Sequence, residues 1–219
     1  HPLINGGMTE WQTNDAVIID AVRSPFARAR KGGLTEVRPD DLSAAVVEGL
    51  LSRVDGSRSV DFEDLIWGCA EPHDEHGQNI ARRIAVLLGE DELPGTTVNR
   101  FCASSLQALR MAFHGIRSGE GRAYIVGGAE SLSRYRRLDE CRNPRFEDRA
   151  AGLEARMAED RPWRDPRLDG ELPDVYISMG RTAELVAGLT GTSRMEQDEF
   201  ALASHEKAES AQRNGCFDG

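Results

Sequence analysis

The sequence predicts an α/β fold, because apolar strand segments alternate with amphipathic helices through the first 132 residues. Short apolar runs that end in turn residues mark four strands, at residues 16–19, 65–69, 96–99 and 123–126. Between them, apolar residues recur at every third or fourth position, which is the spacing of one helix face. This alternation is typical of a sheet with right-handed crossovers and helices on both faces.

Three helices are predicted between these strands. The first begins at Pro39, where proline and two acidic residues favour a helix start. The second and third end at Gly89 and Gly119, since glycine commonly closes a helix. In chain order, the predicted apolar faces are Leu42, Val46 and Leu50; Ile80, Ile84, Leu87 and Leu88; and Leu106, Leu109, Phe113 and Ile116.

A second region, residues 133–219, has a different pattern. Residues 133–173 are rich in Arg, Asp, Glu and Pro and show few periodic apolar positions, so no regular element is predicted there. Two helices follow. One includes residues 183–189 and stops at Gly191, and the other starts with Ser193 and Glu196 at capping-box spacing and runs to Gly215. Residues 8–132 are interpreted as a core domain, and residues 1–7 as an expression scar.

Composition and charge exclude several classes of function. The chain has 37 acidic and 27 basic residues and a net charge of −10, which gives no general attraction to nucleic acid. No apolar run reaches the roughly 18 residues of a membrane helix, and no signal peptide is recognised. The four cysteines match neither a zinc motif nor a CxxC pair, so free thiols in the cytoplasm are expected.

The most informative residue is Cys102, which lies between a predicted buried strand and the first turn of a helix. Helix N-termini carry unpaired N–H groups and a partial positive charge, and both favour thiolate over thiol. Small residues at 103–105 leave room for a substrate, and the backbone N–H of Cys102 is a candidate oxyanion donor. This pattern indicates a nucleophile, with a buried structural cysteine as the alternative interpretation.

Other polar residues are weaker candidates. His73 and His76 fit no standard ligand spacing, so no metal site is expected. His114 lies twelve residues after Cys102, roughly 18 Å along a helix, too far to act as its base. Cys216 is interpreted as an inert helix-end cysteine. A solvated loop and a patch for phosphates or a neighbouring subunit are equally consistent with Arg134, Arg136, Arg137, Arg142 and Arg145.

Six segments of the chain, taken in order, resemble the thiolase family. The central one is Val-Asn-Arg-Phe-Cys-Ala-Ser-Ser-Leu at residues 98–106, which resembles the motif around the thiolase nucleophile. The others are Ala-Val-Arg-Ser-Pro at 21–25, Gly-Gln-Asn-Ile-Ala-Arg at 77–82, Gly-Gly-Ala-Glu-Ser-Leu-Ser at 127–133, Ser-Met-Gly-Arg-Thr-Ala-Glu at 178–184, and the helix at 193–208. Together they cover nearly all of residues 15–217.

The resemblance implies a thiolase-like fold, with a mixed sheet in the N-terminal core and the start of the loop domain at residues 133–219. It implies an acyltransferase that cleaves 3-ketoacyl-CoA, or runs the reverse Claisen condensation, through a thioester on Cys102. Coenzyme A is then a substrate, and no metal or redox cofactor is needed. Ser178 and Met179 are expected beside the pantetheine channel. The expected interface residues of a homodimer or tetramer are Gln78, Asn79, Arg82 and Asn99.

Three departures bear on these expectations. Ser105 stands where many thiolases have Gly, and Ser178 stands where some short-chain thiolases have His. Residues 136–174 match no named pattern, in a region that shapes acyl specificity in the family. The second half of a thiolase, with its Asn-Glu-Ala-Phe segment, Gly-His-Pro segment and second catalytic cysteine, does not appear in this sequence. That half is therefore expected as a partner, possibly on a separate chain.

Three alternative functions stay open. A decarboxylating ketosynthase uses the same cysteine with an acyl-carrier protein, and a sterol-carrier-type thiolase-like protein is closer still. Motifs in the missing half distinguish both of these from a thiolase. A non-catalytic, dimerising module of the same fold is the third alternative. Failure of Cys102 to become acylated, even with the missing half supplied, favours that module.

Overall fold

The computed structural model describes residues 12, 14–135, 142–158 and 164–217. The chain divides into two compact units between residues 137 and 138, near the boundary predicted after residue 132. Within the described ranges, no helix is both long enough and apolar enough to cross a membrane.

The first unit contains a three-stranded parallel sheet. Its strands are β1 (Asp64–Gly68), β2 (Gly95–Val98) and β3 (Tyr124–Gly128). Their spatial order is β2-β1-β3, and the last residue of β1, Gly68, lies beside both Val98 and Gly128. The carboxyl ends of all three strands therefore meet at one edge of the sheet, and the predicted α/β class is confirmed. The described sheet is parallel throughout, whereas the resemblance implied a mixed sheet, because helix-containing crossovers join its strands.

Seven α-helices are described. The first unit contains α1 (Pro39–Arg53), α2 (Ile80–Leu87) and α3 (Ser104–Ser118), and the second contains α4 (Pro144–Ala151), α5 (Leu153–Ala158), α6 (Met179–Thr190) and α7 (Arg194–Arg213). As predicted, Gly119 and Gly191 end α3 and α6 in the left-handed conformation. The predicted capping box of Ser193 and Glu196 is also present at the start of α7.

Helices cover both faces of the sheet, because side chains alternate along each strand. Leu65 and Trp67 of β1 point to one face and pack with α1 and α2, and Ile66 points to the other and packs with α3. The buried residues contributed by α1 and α2 are Val47, Leu51, Ile80, Ala81, Ile84 and Ala85. On the opposite face, α3 contributes only Ala108 and Ala112.

Two predicted helix faces were wrong. In α1 the residues in the core are Ser43, Val47 and Leu51, each one position after the predicted Leu42, Val46 and Leu50, which are only half-buried. In α3 three of the four predicted residues, Leu106, Leu109 and Phe113, are exposed, whereas Met111, which was not predicted, packs on the sheet side. Leu106 is 67% exposed and Phe113 is 46% exposed.

The orientation of α3 follows from its close approach to the sheet. Its sheet-facing residues are Ala108, Ala112 and Gly115, which are small enough to let the helix backbone lie near the strands. A Cβ atom on Gly115 would lie 2.4 Å from the hydroxyl oxygen of Tyr124 on β3. Hydrophobicity alone does not predict this face, because here side-chain size decides which residues fit.

The strand predicted at residues 16–19 was also wrong. These residues form no strand pairing, and Ile18 and Ile19 are 71% and 74% exposed. A strand needs a hydrogen-bonded neighbour, and residues 16–19 pair with neither outer strand of the described sheet. Nearby residues of the same segment instead line a cavity of about 370 Å³, which is bordered by α1 and by the segment from Ile125 to Ser133.

The second unit contains more regular structure than predicted. Helices α4 and α5 occur where residues 133–173 gave no periodic signal. Ion pairs take the place of an apolar face, since Arg149 pairs with Glu171 and Asp174, and Arg156 pairs with Asp174. Neither α6 nor α7 buries any residue fully.

Candidate active site

Cys102 is exposed in the turn that joins β2 to α3. Helix α3 begins two residues later, at Ser104, and its N-cap residue Ala103 makes no side-chain cap. The cysteine therefore lies at the positive end of a 15-residue helix. The predicted strand–turn–helix placement of Cys102 is what the structure shows.

The turn itself has an unusual backbone conformation. Phe101, immediately before Cys102, has a φ angle of +47° although it is not glycine. The N–H of Phe101 donates to Asn99 Oδ1 at 2.8 Å. The hydroxyl of Ser104 donates to the carbonyl oxygen of Phe101 at 2.6 Å and accepts from the N–H of Arg100 at 2.9 Å.

Two glycines support the start of α3 from below. A Cβ atom on Gly68 would lie 2.5 Å from the carbonyl carbon of Ser104, and a Cβ on Gly128 would lie 2.1 Å from Ser105 Oγ. The first turn of α3 therefore rests directly on the carboxyl ends of β1 and β3. A side chain at Gly68 would push the backbone of α3 away from the sheet, and a Cβ at Gly128 would also lie 2.7 Å from the carbonyl oxygen of Gly68.

Cys69 follows β1 at the same edge of the sheet, but its surroundings are different. It is 1% exposed, and its Sγ lies 3.5 Å from a carboxylate oxygen of Glu130. Burial, together with the negative charge of Glu130, raises the pKa of the Cys69 thiol to about 12. The Glu130 carboxylate also accepts from the N–H groups of Ala70 and Glu71 at 2.7 and 3.2 Å.

His76 is fully buried near the same edge. Its Nε2 accepts from the N–H of Ser131 at 2.9 Å, and its ring lies 4.7 Å from that of Tyr135. Burial lowers the pKa of His76, so the neutral form is favoured. The part of the chain that the structure describes holds no group of three or more His, Cys, Asp and Glu side chains suited to a metal ion.

The predicted interface residues lie next to β2, which is an outer strand of the described sheet. Gln78 and Asn79 both have positive φ angles, +53° and +54°. The Asn79 side chain donates to the carbonyl of Gly95 and accepts from Thr97, and Arg82 donates to three carbonyls at residues 90–93. Asn79 thus bonds the start of α2 to β2, and Arg82 bonds α2 to the loop that leads into β2.

The predicted substrate residues belong to the second unit. Ser178 caps α6, and its hydroxyl accepts from the N–H of Arg181 at 3.4 Å. Met179 is the first residue of that helix and is 72% exposed. Both residues belong to the second unit, and their expected position beside a pantetheine channel stays a prediction.

The remaining candidates occupy separate places. His114 is exposed on α3, and Cys216 is exposed near the end of α7. Arg134 pairs with Glu75, and Arg142 lies over the ring of Tyr176. Arg136, Arg137 and the segment 1–7 from the sequence analysis lie outside the described ranges, as does Cys141, the fourth cysteine.

Sequence reasoning missed two residues of this region. Ser104 was considered only as a small residue, and Glu130 only as part of a glycine-rich segment. The contact of Glu130 with Cys69 joins positions 61 apart in sequence, so local patterns carried little information about it. The contacts of Ser104 are local, with Arg100 and Phe101, but they depend on the positive φ angle of Phe101, which its residue type does not suggest. The one available signal was that each follows a strand end, where polar side chains often serve a site.

The fold and the site together define an α/β protein that presents an exposed cysteine at a helix start. The family model described as "Thiolase, N-terminal domain" matches residues 16–219. The chain therefore belongs to the thiolase family, as the resemblance had indicated.

Named relatives agree with this assignment. The chain is similar to a 3-ketoacyl-CoA thiolase of Bacillus subtilis, at 39% identity over 204 residues, covering 93% of the chain and 47% of the relative. It is also similar to a beta-ketoadipyl-CoA thiolase of Acinetobacter baylyi, at 38% identity over 211 residues, covering 92% and 49%. The chain thus spans about half the length of the curated relatives it matches.

Proposed function

We propose that this chain supplies the acyl-accepting nucleophile of a thiolase reaction on CoA thioesters. The Cys102 thiolate attacks the keto carbon of a 3-ketoacyl-CoA and forms a C–S bond. The bond between the α and β carbons then breaks, and the departing acetyl-CoA carbanion takes up a proton. Free CoA removes the acyl group from Cys102, and the reverse sequence is a Claisen condensation. Exposure of Cys102 at the start of α3 carries this proposal.

No metal or redox cofactor takes part in the proposed reaction, and coenzyme A is a substrate. A negative charge develops on the keto oxygen during attack, and the backbone N–H of Cys102 is the proposed donor to it. Because the relatives include both a 3-ketoacyl-CoA and a beta-ketoadipyl-CoA thiolase at nearly equal identity, we propose the class of substrate and not its chain length. Fatty-acid β-oxidation is the corresponding metabolic role.

The proposed reaction needs an acid and a base that the first turn of α3 does not supply. That turn is Ser104-Ser105-Leu106-Gln107, and His114 points from the far part of the same helix. We propose that a thiolase C-terminal half provides both groups, with its Gly-His-Pro histidine and second cysteine. The combination of this chain with such a half is called the assembled enzyme below.

The exposed face of α3 supports a partner of this kind. Leu106, Leu109 and Phe113 form one apolar stripe, and they are 67%, 36% and 46% exposed. Apolar residues at helical spacing that stay exposed mark a surface that another element covers. The chain alone is accordingly expected to aggregate and to lack thiolysis.

The test of this function compares two samples. Consumption of acetoacetyl-CoA in the presence of free CoA is measured for the chain alone and for the chain co-expressed with a thiolase C-terminal half. Turnover should appear only in the assembled enzyme. Turnover at equal rates in both samples would show that the acid–base groups lie within this chain. No consumption of acetoacetyl-CoA in either sample would favour the non-catalytic module.

For assembly, we propose a homodimer across the outer edge of β2, with Gln78, Asn79, Arg82 and Asn99 nearby. A two-fold interface of obligate size buries on the order of 2,000 Å² or more. The arginine-rich segment after residue 133 is a candidate contact for a tetramer. Light scattering should give at least the mass of two assembled enzymes. The mass of a single assembled enzyme would refute this interface.

For location, we propose the cytoplasm. Cys69, Cys102 and Cys216 are all free thiols, and a reducing compartment keeps thiols in that state. Fractionation of cells that express the intact protein, followed by immunoblotting, checks this placement.

A further inference from the structure

The backbone before Cys102 is held in a conformation that its residue type disfavours. Phe101 has a φ angle of +47°, in the left-handed region that bulky residues rarely adopt. Its side chain is 68% exposed, so packing of the ring does not hold it there. Conformations of this kind persist only where the surroundings impose them, and they cluster at functional sites.

Two side chains impose this conformation on Phe101. Asn99 Oδ1 accepts the N–H of Phe101 at 2.8 Å, and the buried hydroxyl of Ser104 donates to its carbonyl oxygen at 2.6 Å. The same hydroxyl accepts the N–H of Arg100 at 2.9 Å. The N–H of Phe101 is therefore bonded to one side chain, and its carbonyl oxygen accepts from the Ser104 hydroxyl and, at 3.0 Å, from the Ser104 N–H.

The carbonyl of Phe101 and the N–H of Cys102 belong to one peptide group. That group is planar and trans, so its C=O and N–H point in opposite directions. A hydrogen bond that fixes the carbonyl towards Ser104 also fixes the direction of the Cys102 N–H. The Ser104 hydroxyl, at 2.6 Å the shorter of the two bonds that Ser104 makes to this carbonyl, thus helps to set the orientation of the proposed oxyanion donor.

We propose that Ser104 and Asn99 are positioning residues that clamp Phe101 in the left-handed conformation and so aim the N–H of Cys102. The inference rests on the proposed role of Cys102 as the acyl acceptor. It requires that the clamp act mainly in the transition state, where the oxyanion forms. Loss of the clamp should therefore lower kcat and change KM little.

The main test uses Ser104→Ala in the assembled enzyme. We expect kcat for acetoacetyl-CoA thiolysis to fall about 10- to 100-fold, the range that a small misplacement of a reacting group produces. Phe101→Gly, introduced into the same chain, should restore kcat to within about threefold, because glycine adopts positive φ angles without a clamp. This rescue is the readout that a purely structural role of Ser104 does not give.

A matched control lies at the other end of the same helix. Ser118 also donates its hydroxyl to a carbonyl three residues earlier, that of Gly115, at 3.1 Å. Ser118→Ala removes the same kind of bond far from Cys102 and should leave kcat within about twofold, as surface changes away from a site do. If Ser104→Ala does not fold, Asn99→Ala tests the clamp and should show the same loss and the same rescue. Because Asn99 also lies near the proposed dimer interface, this variant must give the unsubstituted mass in light scattering.

The possible outcomes separate this inference from the proposed function. If Cys102 in the unsubstituted enzyme never carries an acyl group, the proposed function fails and the clamp fails with it. If Cys102 is acylated and Ser104→Ala turns over at the unsubstituted rate, the clamp alone is overturned. A loss of kcat that Phe101→Gly does not restore also overturns the clamp.

Discussion

The two cysteines that follow β1 and β2 show how neighbouring strand ends in one sheet acquire different chemistry. Cys69 and Cys102 come after parallel, hydrogen-bonded strands, and Gly68 lies beside Val98 in the register. Cys69 is nevertheless buried next to the carboxylate of Glu130, whereas Cys102 is exposed before a helix. The residue type and the strand end are shared, so the turn that follows makes the difference.

This comparison teaches that a cysteine at the carboxyl edge of a sheet is not reactive by position alone. After β1 the N–H groups of residues 70 and 71 donate to the carboxylate of Glu130, which follows β3. The Cys69 thiol is buried beside that carboxylate. After β2 the turn at Phe101 lifts Cys102 away from the sheet and onto the N-terminus of α3. The turn at Phe101 thus leaves the Cys102 thiol exposed, whereas burial beside Glu130 keeps the Cys69 thiol protonated.

The largest expected effect separates the two cysteines by substitution. Cys102→Ser in the assembled enzyme should reduce thiolysis of acetoacetyl-CoA to less than about one part in 1,000, because a hydroxyl near neutral pH is a much weaker nucleophile. Cys69→Ser should retain most of the activity. Steady-state rates of the two variants are the measurement. An equal loss of activity in Cys69→Ser and Cys102→Ser would contradict the difference drawn between the two cysteines.

The second expected effect concerns thiol labelling. With a pKa of about 12, only about one Cys69 thiol in 10,000 is ionised at pH 8, and the thiolate is the reactive form. Cys102 should therefore react with iodoacetamide at least about 100-fold faster than Cys69, and acetyl-CoA should protect it in the assembled enzyme. Peptide mass spectrometry over a time course measures both rates, and earlier labelling of Cys69 contradicts the account.

The third expected effect concerns Gly68, which precedes Cys69 and lies against the start of α3. In Gly68→Ala, the new Cβ would lie 2.5 Å from the backbone of α3, and the free energy of unfolding should fall by about 2–4 kcal/mol. Gly49→Ala in α1 is the control, because no atom lies within 4 Å of its Cβ, and a small gain of roughly 0.5–1 kcal/mol is expected. Urea unfolding followed by circular dichroism compares them, and equal stabilities contradict the close approach of α3.

The smallest expected effect is a loss of stability in mild acid that depends on His76. Burial holds the pKa of His76 below its ordinary 6.5, so the unfolded chain gains this proton first as the pH falls below 6.5. The free energy of unfolding contributed by neutral His76 is therefore present above pH 6.5 and is lost below it, by on the order of 1 kcal/mol.

The groups whose charges also act on His76 are Glu130, His73, Glu75 and Asp40. For that reason the measurement compares pH–stability curves of the assembled enzyme with and without His76→Gln between pH 5 and 8. His114→Gln, at an exposed position, is the control and should leave the curve unchanged. Parallel curves for the unsubstituted enzyme and His76→Gln would show that His76 is not the titrating group.

The sequence predicted those features that depend on neighbouring residues. The glycine ends of α3 and α6 and the capping box at Ser193 follow from local spacing and are confirmed. The α2 face is confirmed at Ile80 and Ile84 but not at Leu87, which is 52% exposed. The placement of Cys102 between strand and helix follows from the same kind of pattern. Each of these depends on residues within one or two helical turns.

The features that sequence did not predict depend on contacts between distant segments. The inward face of α3 was wrong because Gly68 and Tyr124 limit how large its sheet-facing residues are. The strand at residues 16–19 was wrong because a strand requires a neighbour as well as apolar residues. The contacts of Glu130 with residues 69–71 join positions about 60 apart, which periodicity does not reveal.

The most direct test of the central claim locates the acyl group on the protein. The assembled enzyme is mixed with acetoacetyl-CoA without free CoA, quenched in acid, digested, and analysed by peptide mass spectrometry. The account predicts one acetyl group, on the peptide that contains Cys102, with Cys69 and Cys216 unmodified. An acetyl group on another residue, or turnover with no acyl-enzyme on Cys102, would contradict it.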